Sequence, residues 1–366
     1  MSVHKTSAWP FALIYMGLVV YASLYPFSGW RFQGIFPWAY LASPLPRYWS
    51  GFDVAINVLG YMPLGFLLAL SALRRGQSHL AVVRAVLVTG VLSLTMESLQ
   101  SNLPVRVASN VDLFLNVLGG WLGALVAWGL ERLGVVGRWN RFRAHWFVAD
   151  ARGILVLLAL WPLALLFPAS VPFGLGQVME RLEAAVSQAL EDTPFLDWLP
   201  VRDIELQPLG PALELLCVGL GLLIPCLLGY CIIRTVRQRA LFFILVLGAG
   251  LGSTWLSAAL SYGPQHAWAW FGVPAQMGVL VASVLMLALL WVPRRAATAL
   301  VLLALGVYLS LLNQAPDSPY FAQTLSAWEQ GRFIRFHGLA QWLGWFWPYV
   351  AVVTVLIKAW TPEPKN

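Results

Sequence analysis

Three apolar stretches of this chain each carry a carboxylate and a carboxamide one helical turn apart: Asp53 with Asn57, Glu97 with Gln100, and Asp112 with Asn116. Spacings of three or four place both members of a pair on one helix face. A single Arg106 lies in the short link between the second and third stretches. Ionisable groups in membrane-spanning helices are costly and usually face a protein interior or a water-filled cavity. Three such pairs between residues 53 and 116 therefore predict one polar site built between three helices.

Several kinds of chemistry suit that set. Arg106 can pair with one carboxylate, which leaves two in excess; crowded like charges then hold a proton or recruit a cation. A divalent cation could take carboxylate and amide oxygens, with a substrate phosphate completing its shell. A protonated carboxyl beside an ionised one could share acid–base work. Alternatively, the cluster and Arg106 bind a sugar or phosphate headgroup through hydrogen bonds. The structural alternative is a polar latch that fixes helix register. Asp53 and Asp112 can be explained as caps at helix starts. Glu97 cannot, because it ends a helix, where the macrodipole disfavours negative charge.

The elements that must position these residues are membrane helices. The chain has 366 residues, of which 59% are hydrophobic and 11% charged, with a mean hydropathy of +0.72. A soluble domain of this size carries about 25% charged residues. The net charge of +7 does not point to nucleic acid, since the basic residues fall in short clusters between apolar runs rather than on one soluble face. All three cysteines, Cys217, Cys226 and Cys231, sit in one apolar run, which predicts core packing rather than a disulfide or a zinc site.

Ten apolar runs are long enough to span or nearly span a bilayer: residues 9–26, 52–73, 82–101, 111–130, 152–168, 211–233, 240–261, 269–291, 296–313 and 342–360. The first is read as a retained span rather than a cleaved signal peptide. With both termini in the cytoplasm, 16 of the 23 Lys and Arg residues fall on the inside and seven on the outside, as the positive-inside rule requires. The expected fold is thus an all-α polytopic membrane bundle of about ten helices. That orientation puts Asp53, Glu97 and Asp112 at the extracytoplasmic end.

Three regions follow: residues 1–135, with four helices and the polar site; residues 136–293, with four more; and residues 294–366, with the last two. The second region contains an outside segment, 169–210, with seven acids against two arginines, net −5. Within it Val178, Leu182, Ala185, Val186 and Ala189 keep helical spacing and predict an amphipathic helix. The stretch 314–341 is rich in aromatics, including Tyr320, Phe321, Trp328, Phe333 and Phe336, and suits the membrane interface.

The first two regions admit a duplication. Tyr25-Pro26-Phe27 is echoed by Phe167-Pro168-Ala169, Pro63 by Pro225, Gly90 by Gly250, Pro104 by Pro264 and Asn116 by Gln276. At an offset of 160, Glu97 faces Ser257 and Asp112 faces Gly272, so the second copy has lost these carboxylates. Chance likeness between apolar helices is the competing account. His79 and His145 lie in basic links, and His266 and His337 among aromatics, none with a second metal ligand beside it. Ser253, Ser257 and Ser261 form a helical stripe of the kind used in close packing.

From Phe52 to Trp128 the chain resembles the VanZ-like family of bacterial membrane proteins. The elements that carry the likeness are Asp53-x3-Asn57 with Gly60-Tyr61-x-Pro63-Leu64-Gly65, Glu97-x2-Gln100, and Arg106 followed by Asp112-x3-Asn116-x2-Gly119. The resemblance implies a protein of the bacterial cytoplasmic membrane with a role in the cell envelope. The family takes its name from an accessory of teicoplanin-type glycopeptide resistance, and the likeness supplies no reaction. The expectation is recognition of a lipid-linked or polar headgroup component at the outer leaflet. A membrane enzyme acting on a lipid-linked phosphate and a small-solute transporter are the alternatives.

Overall fold

The computed structural model describes residues 8–25, 27, 29–34, 36–45, 51–76, 80–104, 106–167, 169–196, 209–315 and 334–360, the side chains of 52, 136 and 334–339 excepted. Most of the aromatic stretch 314–341, with Tyr320, Phe321, Trp328 and Phe333, lies outside these residues, as do His79 and Asp197, Asp203 and Glu205 of the acidic segment.

The described chain is helical, and its helices follow the hydropathy. They are α1 (Ala8–Leu24), α2 (Gly51–Arg74), α3 (Ala81–Gln100), α4 (Asn110–Arg132), α5 (Val135–Trp146), α6 (Arg152–Ala164), α7 (Met179–Leu190), α8 (Pro211–Tyr230), α9 (Val236–Tyr262), α10 (Val273–Ala288), α11 (Arg294–Leu312) and α12 (Ile334–Trp360). Each of the ten apolar runs forms one helix. Eight are long and apolar enough to cross a membrane, while α1 and α6 are apolar but shorter. Their exposed faces carry large apolar side chains such as Leu59, Leu87, Val91, Phe114, Leu245, Val284 and Leu303. Such surfaces suit lipid rather than water. This is a multi-pass membrane protein.

The chain divides into two compact units, residues 1–142 and 143–366. In the first, α2 and α4 pack most extensively, and α3 lies against both. Glycine sets how closely they approach. A methyl group on Gly119 would run into the Val58 carbonyl oxygen, and one on Gly123 into that of Met62. These two glycines, one helical turn apart, receive two carbonyls one turn apart. The two helices are therefore parallel, with a register of 61 residues (119−58 and 123−62). Gly65 abuts the Gly120 backbone in the same way, and Gly120 faces Thr89 of α3. The core here is built largely of small residues, including Ala12, Ala69, Ala85, Ala124 and Ala127, as expected where helices associate by close packing in lipid.

The second unit is organised around α8, whose residues from Gly221 to Tyr230 are all buried. It touches α6, α9, α10 and α11, while α12 packs on α6 and α11. Cys217, Cys226 and Cys231 are free and buried, as expected for core residues. Arg239 is buried too, and its guanidinium donates to the carbonyls of Tyr230, Leu290 and Val292. It closes helix C-termini whose carbonyls would otherwise lack donors.

One segment departs from the expected arrangement. Residues 169–210 are read from the sequence as an extracytoplasmic segment at the membrane surface or capping the bundle, and part of it, Val171, Phe173, Gly174, Leu175 and Gly176, is buried in the core of the unit. Non-helical backbone within a membrane protein is tolerated where protein satisfies it, and protein does so here. The Tyr308 hydroxyl donates to the Phe173 carbonyl and accepts from the Leu175 N–H. Asn313 donates to the Gly176 carbonyl and accepts from the N–H groups of Val178 and Met179. The amphipathic helix follows as α7, and it buries none of its residues.

Candidate functional site

Asn57, Glu97, Asp112 and Asn116 come together where α2 and α4 begin and α3 ends. Asn57 donates to the Asp112 carboxylate at 3.0 Å, tying α2 to α4. Asn116 donates to the Ser93 hydroxyl at 2.9 Å, tying α4 to α3. Both Asn116 and Glu97 are buried, each 4% exposed. Asp53 sits in the first turn of α2 and is exposed, at the rim of the set.

Glu97 ends α3, a position unfavourable to negative charge, and a neighbouring helix compensates it. Its carboxylate accepts the backbone N–H of Ser109 at 2.9 Å, and Ser109 is the residue that caps α4. The positive end of the α4 dipole therefore faces Glu97. The cap reading of Asp112 is corrected by the same contact region. The Ser109 hydroxyl accepts the Asp112 N–H at 3.3 Å and is the cap, which leaves the Asp112 carboxylate to receive Asn57.

Gln100 and Arg106 also reach α1. Gln100 donates to the Ser23 carbonyl at 2.9 Å and Arg106 to the Tyr25 carbonyl at 3.2 Å. Both grip the C-terminal end of α1, where orphan carbonyls need donors and a cation is favoured.

Four more groups belong to the site and were missed in the sequence: Tyr40, Tyr61, Ser93 and Ser98. Tyr61 and Tyr40 each come within electrostatic reach of Glu97. Tyr61 approaches Ser93, and Tyr40 approaches Ser98, yet neither phenol makes a hydrogen bond of normal geometry. The buried Tyr40 and Tyr61 hydroxyls, the Ser98 hydroxyl and the Asn116 carboxamide oxygen have no hydrogen-bond partner among the described residues. Burial raises the Tyr40 phenol above its ordinary pKa; Ser98 opposes that rise and the Glu97 charge adds to it. Helical spacing offered a signal for two of the four. Ser93 stands four residues before Glu97 and Tyr61 four after Asn57, each on the face already marked. Tyr40 lies in a short 3-10 turn, Ala39–Ala42, and gave no periodic cue.

Among the described residues no three of His, Cys, Asp and Glu group closely enough to hold a metal ion. Asp53, Glu97 and Asp112 are thus not one such group.

Residues 9–132 match the VanZ/LLP1 family model. The VanZ-like segment begins with α1 and ends with α4, so it takes in the whole polar site and the helix that Gln100 and Arg106 grip. It spans 124 of the 366 residues (9 to 132 inclusive) and leaves the second unit outside the match. Comparison with curated proteins and with solved structures gave no match.

Proposed function

We propose that the VanZ-like unit recognises a polar headgroup, as carried by a lipid or lipid-linked envelope component, at the polar cluster around Glu97. The distribution of basic residues supports a cluster at the outer leaflet of a bacterial cytoplasmic membrane. An accessory part in resistance to teicoplanin-type glycopeptides fits a protein that holds an envelope component there.

One observation carries the reading. A latch evolved for register would pair its buried polar atoms internally, because an unpaired one costs about 1–3 kcal/mol. Around Glu97 four such atoms make no hydrogen bond of normal geometry among the described residues: the hydroxyls of Tyr40 and Ser98, which approach each other, the Tyr61 hydroxyl, which approaches Ser93, and the Asn116 oxygen. Together they offer hydroxyl donors and an amide acceptor, complementary to a sugar or phosphate oxygen. Their desolvation is offset when a ligand completes the network.

The test is lipid mass spectrometry on protein purified in native membrane discs, wild type against Tyr61→Phe and the double variant Glu97→Gln, Asp112→Asn. Recognition predicts a lipid or lipid-linked sugar enriched with wild type and depleted in both variants. Tyr61→Phe is the sharper comparison, since deleting an unpaired buried hydroxyl leaves thermal stability equal or higher. Identical lipid profiles from wild type and a stable Tyr61→Phe protein would sink the proposal and favour the latch.

A further inference from the structure

The second unit holds a cavity of about 580 Å³ that the VanZ-like site does not account for. Its position becomes intelligible against the first unit. Within residues 1–142 the contacting pairs among the apolar helices are α1–α2, α1–α3, α2–α3, α2–α4 and α3–α4. Replacing α1, α2, α3 and α4 by α6, α8, α9 and α10 gives five pairs that also occur, and again the second and fourth helices pack most extensively. The packing detail repeats as well. Gly119 meets Val58, while Gly278, 159 residues later, meets Val218, 160 residues after Val58. Two residues other than glycine adopt positive φ among those described, Phe27 at 62° and Phe173 at 61°. Each follows a proline, in Tyr25-Pro26-Phe27 and Val171-Pro172-Phe173, so the latter tripeptide is a better counterpart of the former than Phe167-Pro168-Ala169.

Within this correspondence the cavity falls on the polar site. An offset of 160 carries Glu97 to Ser257, Arg106 to His266 and Asp112 to Gly272, and all three destinations line the cavity. Glu214 lines it too and occupies the first turn of α8, as Asp53 does in α2. Exchange of two carboxylate side chains for a hydroxymethyl group and a hydrogen explains why space opens here.

We propose that the second unit is an altered copy of the first and that its cavity is a separate binding site for an organic ammonium ion. The volume is that of a small-molecule pocket. Glu214 supplies the only carboxylate of the lining, and its side chain has no ion pair or hydrogen bond among the described residues. No lysine or arginine lines the cavity, and His266 is the one basic side chain in its lining. Trp270, Tyr262, Phe173 and Phe167 add aromatic surface, which attracts cations through the ring quadrupole and accepts an apolar body. Thr254 contributes a hydroxyl oxygen without a partner among the described residues. The site is distinct from the polar cluster around Glu97 and stands whether or not that cluster binds a headgroup.

The experiment is calorimetric titration of the full chain in phosphatidylglycerol discs with benzyltrimethylammonium. Benzyl alcohol, which keeps the ring and drops the charge, is the control. The ammonium is expected to bind at least tenfold more tightly than the alcohol, and Glu214→Gln to weaken it at least tenfold with thermal stability unchanged. Trp270→Leu weakens it too, while Glu131→Gln, an exposed carboxylate on α4, leaves it unaltered. Including phosphatidylethanolamine in the discs separates the sources. Competition names a lipid amine headgroup, and its absence alongside tight binding names a free amine. Equal affinity for charged and neutral probes, or equal binding by a folded Glu214→Gln protein, overturns the proposal. So does a neutral sugar such as N-acetylglucosamine binding where the ammonium does not.

Discussion

Substituting Gly123 by alanine places a methyl group against backbone rather than against a side chain that could turn aside. Its nearest neighbours would be the Met62 carbonyl group, with the carbon at 2.8 Å, and the Phe66 nitrogen at 2.9 Å. Relief requires α2 and α4 to separate, and the same separation loosens Gly119 from Val58 and stretches the Asn57–Asp112 bond. Overpacking costs about 1–3 kcal/mol even where side chains can adjust. A methyl group added at Gly129, on the same helix, would meet nothing within 4 Å, and alanine there gains about 1 kcal/mol of helix propensity. The two variants should therefore differ by about 2–4 kcal/mol, Gly123→Ala being the less stable. Thermal unfolding of the full chain in detergent reads this directly, and about 2–4 °C per kcal/mol separates the midpoints by roughly 4–16 °C. Equal midpoints would mean that the glycine face does not set the helix spacing.

Three further outcomes follow from contacts already described. A double-mutant cycle with Asn57→Ala and Asp112→Ala should return a coupling of about 0.6–1.7 kcal/mol, the range for hydrogen bonds between membrane helices; zero coupling would count against the bond. Tyr308→Phe removes the hydroxyl that bridges the Phe173 carbonyl and the Leu175 N–H and leaves them only their mutual contact of 3.1 Å, so it should cost about 1 kcal/mol and speed amide exchange at Leu175. Unchanged exchange would show the buried segment to be held by other contacts. Finally, Cys217, Cys226 and Cys231 should resist a maleimide in the folded protein and react on unfolding; prompt labelling of the native chain would contradict their burial.

How far the sequence revealed this structure depends on how local each signal was. Apolar runs of membrane length have few alternatives to a helix, and all ten became one. The one-turn pairs were legible for the same reason. Glu97 was harder, because its compensation comes from Ser109, 12 residues away across a turn, and helix dipoles read singly predict only conflict. Gln100 and Arg106 carry side chains that suit a ligand site, yet they reach Ser23 and Tyr25, 77 and 81 residues earlier in the chain. Composition cannot distinguish a donor meant for a ligand from one meant for a helix end. The acidic stretch after residue 169 concealed a buried segment because its apolar residues, Val171, Phe173 and Leu175, alternate with proline and glycine and show no helical period. His266 gave a cue only through the offset of 160, whose other positions had lost their charge, and Glu214 falls one residue beyond the counterpart of Asp53, Leu213.

The seating of that buried segment also dictates an order of assembly. Every helix of the first unit's bundle has emerged by residue 132, so its packing can close early in synthesis. Leu175 must wait for Tyr308, which follows 133 residues later. At about 5–20 residues per second that delay is roughly 7–27 s. Throughout it the backbone polar groups around Phe173 lack their final partner, and α8, which packs on α11, lacks one of its neighbours. The newborn second half is thus the stage most in need of a chaperoning insertase, and truncations that end before α11 should be cleared by proteolysis while those that end after α4 survive.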